Sequence, residues 1–272
     1  MSRLGNAAGW VRMDGKVVAT DRNSIIGSQK ILNPVRFSEL GDDLGGVPVF
    51  TATNADGTAW TQASCSNLAG GGTAGLGNAM GGPTFWGSGT TGPCNPTYRV
   101  LCLMKSNVAG PGAPPASMGK RMWLTNSAYG PSVTGDVDAL CNSERPVGVA
   151  MGRALVARTT ATAASLLGAA TLYVRPDGQE IGTGAELIAE RARGGAWQQA
   201  NGTYWSGQAW TGSATIDALG QVSSSCGDWV IANASGRCTL PGLAGSFWGQ
   251  TLPVIVCNNI PASGPRLMCF EP

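Results

Sequence analysis

Two stretches of the chain repeat one another: SRLGNAAGWVRMDG at residues 2–15 and SLLGAATLYVRPDG at residues 165–178. They align without gaps and are identical at eight of fourteen positions. Self-similarity at a fixed spacing is the signature of a repeated structural unit. The correspondence continues through the cysteines, which match in order as Cys65 with Cys226, Cys94 with Cys257 and Cys102 with Cys269. We therefore interpret the sequence as a duplication.

The two copies are separated by NVAGPGAPPASMG, residues 107–119, whose Pro, Gly and Ala content is typical of a linker. The first copy then covers residues 1–106 and the second covers residues 120–272. Residues 120–164 have no counterpart in the first copy, which is therefore predicted to be truncated. A truncated copy would leave a sheet edge and apolar core uncovered. The second copy, the linker or another subunit could cover them, or the reduced domain could close on itself.

Local patterns in the second copy predict short elements rather than a layered parallel sheet. The predicted elements are strands at 120–126 and 153–159, helices at 136–144, 162–168 and 184–191, and a hairpin at 172–181. Thr134 or Asp136 can cap the first helix, and Asp177 with Gly178 suits a tight hairpin turn. Long Gly-, Asn- and Ser-rich loops connect these elements, so the fold class is predicted to be α+β.

The composition excludes several classes of function. The chain has no histidine, which removes the Ser-His-Asp and Cys-His nucleophile pairs and histidine metal sites. Only 12% of its residues are charged and the net charge is +2, so no basic footprint for nucleic acid is present. No apolar run is long enough for a membrane span. We expect a protein that is not an enzyme and needs no cofactor.

Three segments carry a resemblance to a known fold: WLTNSAYGPSVTGDVDALCNSE at 123–144, SCGDWV at 225–230 and RLMCFEP at 266–272. With them the chain resembles the C-type-lectin-like fold of bacterial and phage surface proteins, well over 120–272 and partially over 1–106. The resemblance implies two such domains, with long disulfide-pinned loops and an incomplete first copy. It also implies three disulfides: Cys141 with Cys269, Cys226 with Cys257, and Cys65 with Cys94.

Cys102 and Cys238 are left unassigned by the resemblance. They could pair with each other, pair between subunits or stay free, since eight cysteines allow 105 pairings. A plainer interpretation is that all the cysteines are buried thiols of a protein assembled inside a cell.

Candidate contact residues lie in one loop of the second copy. Trp197, Tyr204 and Trp205 flank or belong to QQANGTYWSGQ, which has no clear equivalent in the first copy, whereas most other tryptophans are predicted to be core. The calcium-binding motifs of sugar-binding lectins of this fold are absent. Asn54 and Asp56 offer the weak candidate for a calcium site, against a simple Asx turn.

These observations favour a structural protein on the exterior of a phage or related particle, as a decoration, collar, spike or tail-tip component. The expected partners are other subunits of an assembly and a glycan or protein of the host surface. The expected location is the particle surface. A secreted or cell-surface bacterial adhesin of the same fold is the alternative.

Overall fold

The computed structural model describes residues 4–68, 71–84, 87, 89–94, 98–112, 114–131, 136–245, 247–248, 254–258 and 260–272. The chain divides into two compact units, Met1–Pro115 (unit 1) and Ala116–Pro272 (unit 2). The boundary falls within the Pro/Gly stretch 107–119.

The described residues of unit 1 form a hairpin, a short helix after it, a four-stranded sheet, and a 3-10 turn (Thr61–Ala63) with a one-turn helix (Cys65–Leu68). Its hairpin strands are β1 (Ala8–Val11) and β2 (Val17–Asp21), followed by helix α1 (Arg22–Ile26). The Asp21 carboxylate accepts a hydrogen bond of 2.8 Å from the Ser24 backbone N–H, which caps α1. The sheet has the order β5-β4-β3-β6, with β3 (Pro48–Phe50), β4 (Thr73–Asn78), β5 (Thr90–Pro93) and β6 (Arg99–Val100).

Unit 2 is built on a seven-stranded sheet in which six strands follow the order β10-β9-β7-β15-β11-β13 and β8 pairs with β15. These strands are β7 (Lys120–Leu124), β8 (Arg153–Ala154), β9 (Leu172–Val174), β10 (Glu180–Thr183), β11 (Ala209–Trp210), β13 (Cys238–Thr239) and β15 (Arg266–Phe270). A separate pair joins β12 (Ser235–Gly236) to β14 (Ile255–Val256). The first and last strands of the unit, β7 and β15, are antiparallel neighbours.

Two short helices accompany this sheet, α2 (Val137–Ser143) and α3 (Gly184–Ile188), together with a one-turn helix at Cys226–Trp229 whose φ angles are positive. Asp136 caps α2, as one of the two predicted caps, while Thr134 lies outside the described residues. Thr183 caps α3 through a capping box with Glu186. The chain is thus a sheet-dominated α+β protein with few helices.

Strand β15 joins the two cores of unit 2 because its side chains alternate between the faces of the sheet. Met268 and Phe270 belong to one buried cluster, and Leu267 and Cys269 belong to the other. All five residues of β15 are buried. Since full burial of a large apolar side chain contributes about 1.5–3 kcal/mol, this strand is a major source of stability.

Two predicted elements are shorter than the sequence pattern indicates. The helix predicted at 162–168 is a single 3-10 turn, Ala164–Leu166, whose first N–H donates to the Ile216 carbonyl at 2.9 Å and which ends where Leu167 becomes extended. The strand predicted at 153–159 is regular only over Arg153–Ala154. Both differences come from partners distant in sequence, which local patterns do not register.

The turn of the β9–β10 hairpin is fixed by its own side chains. The Arg175 guanidinium donates to the Asp177 carboxylate through Nε at 3.2 Å and through Nη2 at 2.9 Å. Asp177 Oδ1 also accepts from the Gln179 backbone N–H at 3.0 Å. Gly178 has a φ of 79°, which a residue with a side chain rarely adopts. We call this arrangement the Arg–Asp pin.

Unit 1 contains the same arrangement at the turn of β1 and β2. Arg12 donates to Asp14 through Nε at 2.9 Å and also through Nη2, and Gly15 has a φ of 83°. The Arg12 guanidinium lies 5.0 Å from the ring centroid of Phe37. In unit 2, Arg175 lies 4.9 Å from the Trp197 ring. Each pin therefore consists of a buried arginine, an aspartate two residues later and an aromatic ring.

Among the described residues, no helix is long and apolar enough to cross a membrane.

Candidate contact surface

The loop that holds the candidate aromatic residues is a tight hairpin. Gln198 and Tyr204 form an antiparallel bridge, and the Trp205 N–H donates to the Trp197 carbonyl at 2.8 Å. Gly202, at the tip, has a φ of 88°. The Gln199 side chain anchors the hairpin by donating to the Thr125 carbonyl at 2.9 Å. The loop is thus held in one conformation by its own hydrogen bonds.

Trp197 lies inside the protein rather than on its surface. Its exposed fraction is 0%, and one ring is covered by the Arg175 guanidinium. The surface contact predicted for Trp197 is therefore incompatible with this conformation, since a fully buried ring cannot stack on a ligand. Trp197 instead forms part of the Arg–Asp pin.

Tyr204 is half-buried and belongs to the same pin. Its hydroxyl donates to Asp177 Oδ2, and its ring centroid lies 5.9 Å from the Arg175 guanidinium. Burial, together with the neighbouring Asp177 carboxylate, raises the pKa of the Tyr204 hydroxyl. Burial alone would raise the pKa of Asp177, but the charge of Arg175 and hydrogen bonds from Arg175, Tyr204 and Gln179 hold it below its usual value. Tyr204 is therefore a neutral donor that tightens the pin.

Trp205 is half-buried and stacks on a different arginine. The Arg266 guanidinium carbon lies 4.4 Å from the Trp205 ring centroid. The indole Nε1 donates to the Gln208 carbonyl at 3.2 Å, which fixes the ring edge. Tyr204 and Trp205 are both partly exposed, but the cation beside Tyr204 is paired with Asp177, whereas the Arg266 guanidinium beside Trp205 has no such aspartate partner among the described residues. The contact surface therefore centres on Trp205 and Arg266, with Tyr204 beside them in the loop.

Three disulfides hold the loops of both units, in the pairs that the resemblance implied. They join Cys65 to Cys94, Cys141 to Cys269 and Cys226 to Cys257. The Cys141–Cys269 bond ties helix α2 to the last strand, and the Cys226–Cys257 bond closes the loop region after β11. Disulfide bonds restrict the unfolded chain. The frame around the contact surface is thus covalently fixed.

The two remaining cysteines are free thiols in different environments. Cys102 is exposed in unit 1, whereas Cys238 is buried in unit 2. Burial raises the pKa of the Cys238 thiol. Cys238 is therefore protonated and shielded at neutral pH.

Asn54 and Asp56, the weak calcium candidates, lie in one turn of unit 1. The Asp56 carboxylate accepts from the Thr58 backbone N–H at 2.8 Å and from its hydroxyl at 2.6 Å, and the Asn54 amide donates to that hydroxyl at 3.0 Å. These bonds describe an Asx-type turn. Within the described ranges, no group of three or more His, Cys, Asp or Glu side chains is arranged to hold a metal ion.

A cleft of about 300 Å³ lies elsewhere in unit 2, between Asp136, Arg158, Asp228 and neighbouring residues. Its charges have partners within the protein: Arg158 pairs with Asp138 at 2.9 Å, and Asp228 accepts from the Thr159 N–H and hydroxyl. These bonds hold the charged side chains in the walls of the cleft.

Sequence reasoning did not connect three residues with the aromatic side chains of this loop: Arg175 and Asp177 of the pin, and Arg266 beside Trp205. The first two belong to the repeated stretch, so their identity in both copies was the available signal. Arg266 lies in RLMCFEP, where nothing local indicates that its side chain reaches Trp205.

No family model matches the chain, and no curated protein is significantly similar to it.

Proposed function

We propose that this chain is a structural and binding protein, not an enzyme, on the exterior of a phage or phage-like particle. It would present the Trp205 surface to a glycan or protein of the host while other subunits of the particle hold it in place. The observation that carries this proposal is a rigid, disulfide-fixed frame that holds a loop with a half-exposed aromatic ring. Such a frame reduces the ordering cost of binding.

The fold that we propose for this role is a pair of C-type-lectin-like domains derived by duplication. The Arg–Asp pin at the same place in both units supports the duplication. So does the strand pairing: β3 pairs antiparallel with β4 and parallel with β6, and β11 pairs antiparallel with β13 and parallel with β15. The adjacent first and last strands of unit 2 and the Cys141–Cys269 bond between its first helix and last strand support the lectin-like fold.

The proposed role in an assembly is based on the incomplete first copy, which leaves one strand edge uncovered. In unit 2, β15 pairs with β7 and β8 as well as β11. In unit 1, the corresponding strand β6 has β3 as its one strand partner among the described residues. An exposed strand edge favours pairing with another chain. We therefore propose that a neighbouring subunit covers β6.

Binding of the full chain to host cells tests the proposed function. The protein would be fluorescently labelled and its binding compared with that of Trp205→Ala and of a control, Leu219→Ala, which truncates a side chain 52% exposed elsewhere in unit 2. We expect Trp205→Ala to lower binding and the control to leave it unchanged. Equal binding by all three proteins, or none by the parent chain, would count against the proposal.

A secreted or cell-surface bacterial adhesin is the second candidate, favoured by the three disulfides, which form in oxidising compartments. The neighbouring genes distinguish the two. Capsid or tail genes beside this one support the particle protein, whereas a longer reading frame with a secretion signal supports the adhesin.

A further inference from the structure

Four arginines of the described chain stack on aromatic rings, and one of them differs from the rest. Three of the four each pair with an aspartate: Arg12 with Asp14, Arg36 with Asp43 and Arg175 with Asp177. The fourth, Arg266, stacks on Trp205 with no carboxylate of the described residues within 4.0 Å of its guanidinium. The recurring arrangement is thus incomplete at Arg266.

The burial of Arg266 makes the absence of a carboxylate partner costly in free energy. The residue is only 8% exposed, and its Nε is buried without a hydrogen-bond partner among the described residues. Its backbone is fixed in β15, where its N–H donates to the Gln208 carbonyl at 3.0 Å. Proteins seldom bury a charged group without a partner, because desolvation is expensive. Binding of an anion to such a group therefore offsets part of the free-energy cost of burying its charge.

One nearby carboxylate is already used for another purpose. Glu144 contributes a favourable long-range charge interaction to Arg266, but it is not in ion-pair contact with it. Its Oε2 accepts hydrogen bonds from the backbone N–H groups of Asn126 and Ser127. Glu144 therefore stabilises the adjacent turn and leaves the donors of Arg266 for another acceptor.

We infer that Arg266 and Trp205 form a binding site for an acidic sugar, whose carboxylate pairs with the guanidinium while its ring contacts the exposed part of the indole. The inference rests on the proposed function, in which this surface meets host glycans. A guanidinium binds a carboxylate through two parallel hydrogen bonds. Trp205 packs partly against the buried cluster that contains Phe270, and its exposed part offers apolar surface beside the guanidinium, of the kind found in small-molecule sites. A peptide C-terminus carries the same carboxylate but would make a smaller contact with the indole than a sugar ring.

Calorimetric titration of the full chain tests this inference. The probes are sialyllactose and trigalacturonate, with lactose and a galactose trimer as their neutral counterparts. We expect an acidic probe to bind at least tenfold more tightly than its neutral counterpart, since a charge-assisted hydrogen-bond pair is lost in the latter. Arg266→Lys should weaken that binding at least tenfold, because lysine lacks the two-pronged geometry.

The matched control is Arg191→Lys, which makes the same substitution at an exposed position of the same unit. It should bind the acidic probe like the parent chain. Thermal unfolding of each variant monitors the fold, and the comparison of acidic with neutral probes on the parent chain needs no variant at all. Equal binding of acidic and neutral probes, equal binding by Arg266→Lys, or no binding of either acidic probe would overturn the inference. Binding of a peptide with a free C-terminus, but not of its amide or the acidic sugars, would overturn the sugar assignment.

Failure of this inference and failure of the proposed function give different results. If the parent chain and Arg266→Lys bind host cells equally, the acidic-sugar site is wrong and the surface role stands. If the probes bind through Arg266 but host cells are not bound, the site stands and the proposed function fails.

Discussion

Replacing Asp177 by asparagine should destabilise unit 2 by about 3 kcal/mol. Asp177 pairs with Arg175, whose side chain is 0% exposed, while the Asp177 side chain is 14% exposed. Removing one partner of a buried ion pair costs about 3–5 kcal/mol because the other charge stays buried. We place the loss at the lower end, since asparagine keeps one oxygen acceptor and Arg175 still stacks on Trp197.

Urea unfolding of the full chain, followed by tryptophan fluorescence, measures this loss. The control is Asp217→Asn, which removes the same charge from an exposed residue of unit 2 and should change the stability by less than about 0.5 kcal/mol. Asp14→Asn in unit 1 should cost less than Asp177→Asn, because the Asp14 side chain is 33% exposed. A loss below about 1 kcal/mol for Asp177→Asn would refute the structural role given to the pin.

The same pair predicts a dependence on pH. The native pKa of Asp177 lies below its ordinary value of 3.8, so folding favours the charged carboxylate. The stabilisation is therefore present at neutral pH and is lost as the pH falls through the native pKa. The difference in stability between the parent chain and Asp177→Asn should shrink below about pH 4. A difference that stays constant from neutral to acid would contradict this assignment.

Three further outcomes follow from the cysteines and the contact loop. Removing the Cys141–Cys269 bond by a double alanine substitution should destabilise unit 2 by about 5 kcal/mol, and removing Cys226–Cys257 should cost about 4 kcal/mol. The first loss is larger because the bonds span 128 and 31 residues, respectively. Urea titrations in which the second loss exceeds the first would oppose this order. Maleimide should label Cys102 in the native protein and Cys238 only after unfolding, as mass spectrometry would show. Trp205→Ala should lower the melting temperature by only a few degrees, since the side chain is partly exposed, and should abolish binding of the acidic probes. A loss of folding would show that Trp205 acts mainly as a core residue.

The hairpin turns were the most predictable part of the fold. Asp177 with Gly178 forms the tight turn expected from its dipeptide, and its partner Arg175 is one of the eight positions identical in the two repeated stretches. Asp136 caps its helix as its side chain and position predict. These features depend on neighbours within a few residues, which is the range that sequence patterns report.

Features that depend on distant residues could not be predicted in the same way. Trp197 and Trp205 occupy one short loop, yet Arg175 covers the first ring inside the protein while the second reaches the surface. The 3-10 turn at Ala164–Leu166 begins with an N–H that donates to the distant Ile216 carbonyl, and it ends where Leu167 becomes extended. The role proposed for Arg266 depends on its contact with Trp205 and on a comparison with the other stacked arginines, each of which pairs with an aspartate. In each case the deciding contact spans a long stretch of chain.

Disulfide mapping of the protein isolated from its native source, with free thiols blocked at lysis, tests the proposed exterior, covalently fixed frame most directly. We expect three linked peptide pairs, Cys65 with Cys94, Cys141 with Cys269 and Cys226 with Cys257, and blocked thiols at Cys102 and Cys238. Eight blocked thiols would contradict both the fixed frame and the location outside a reducing compartment.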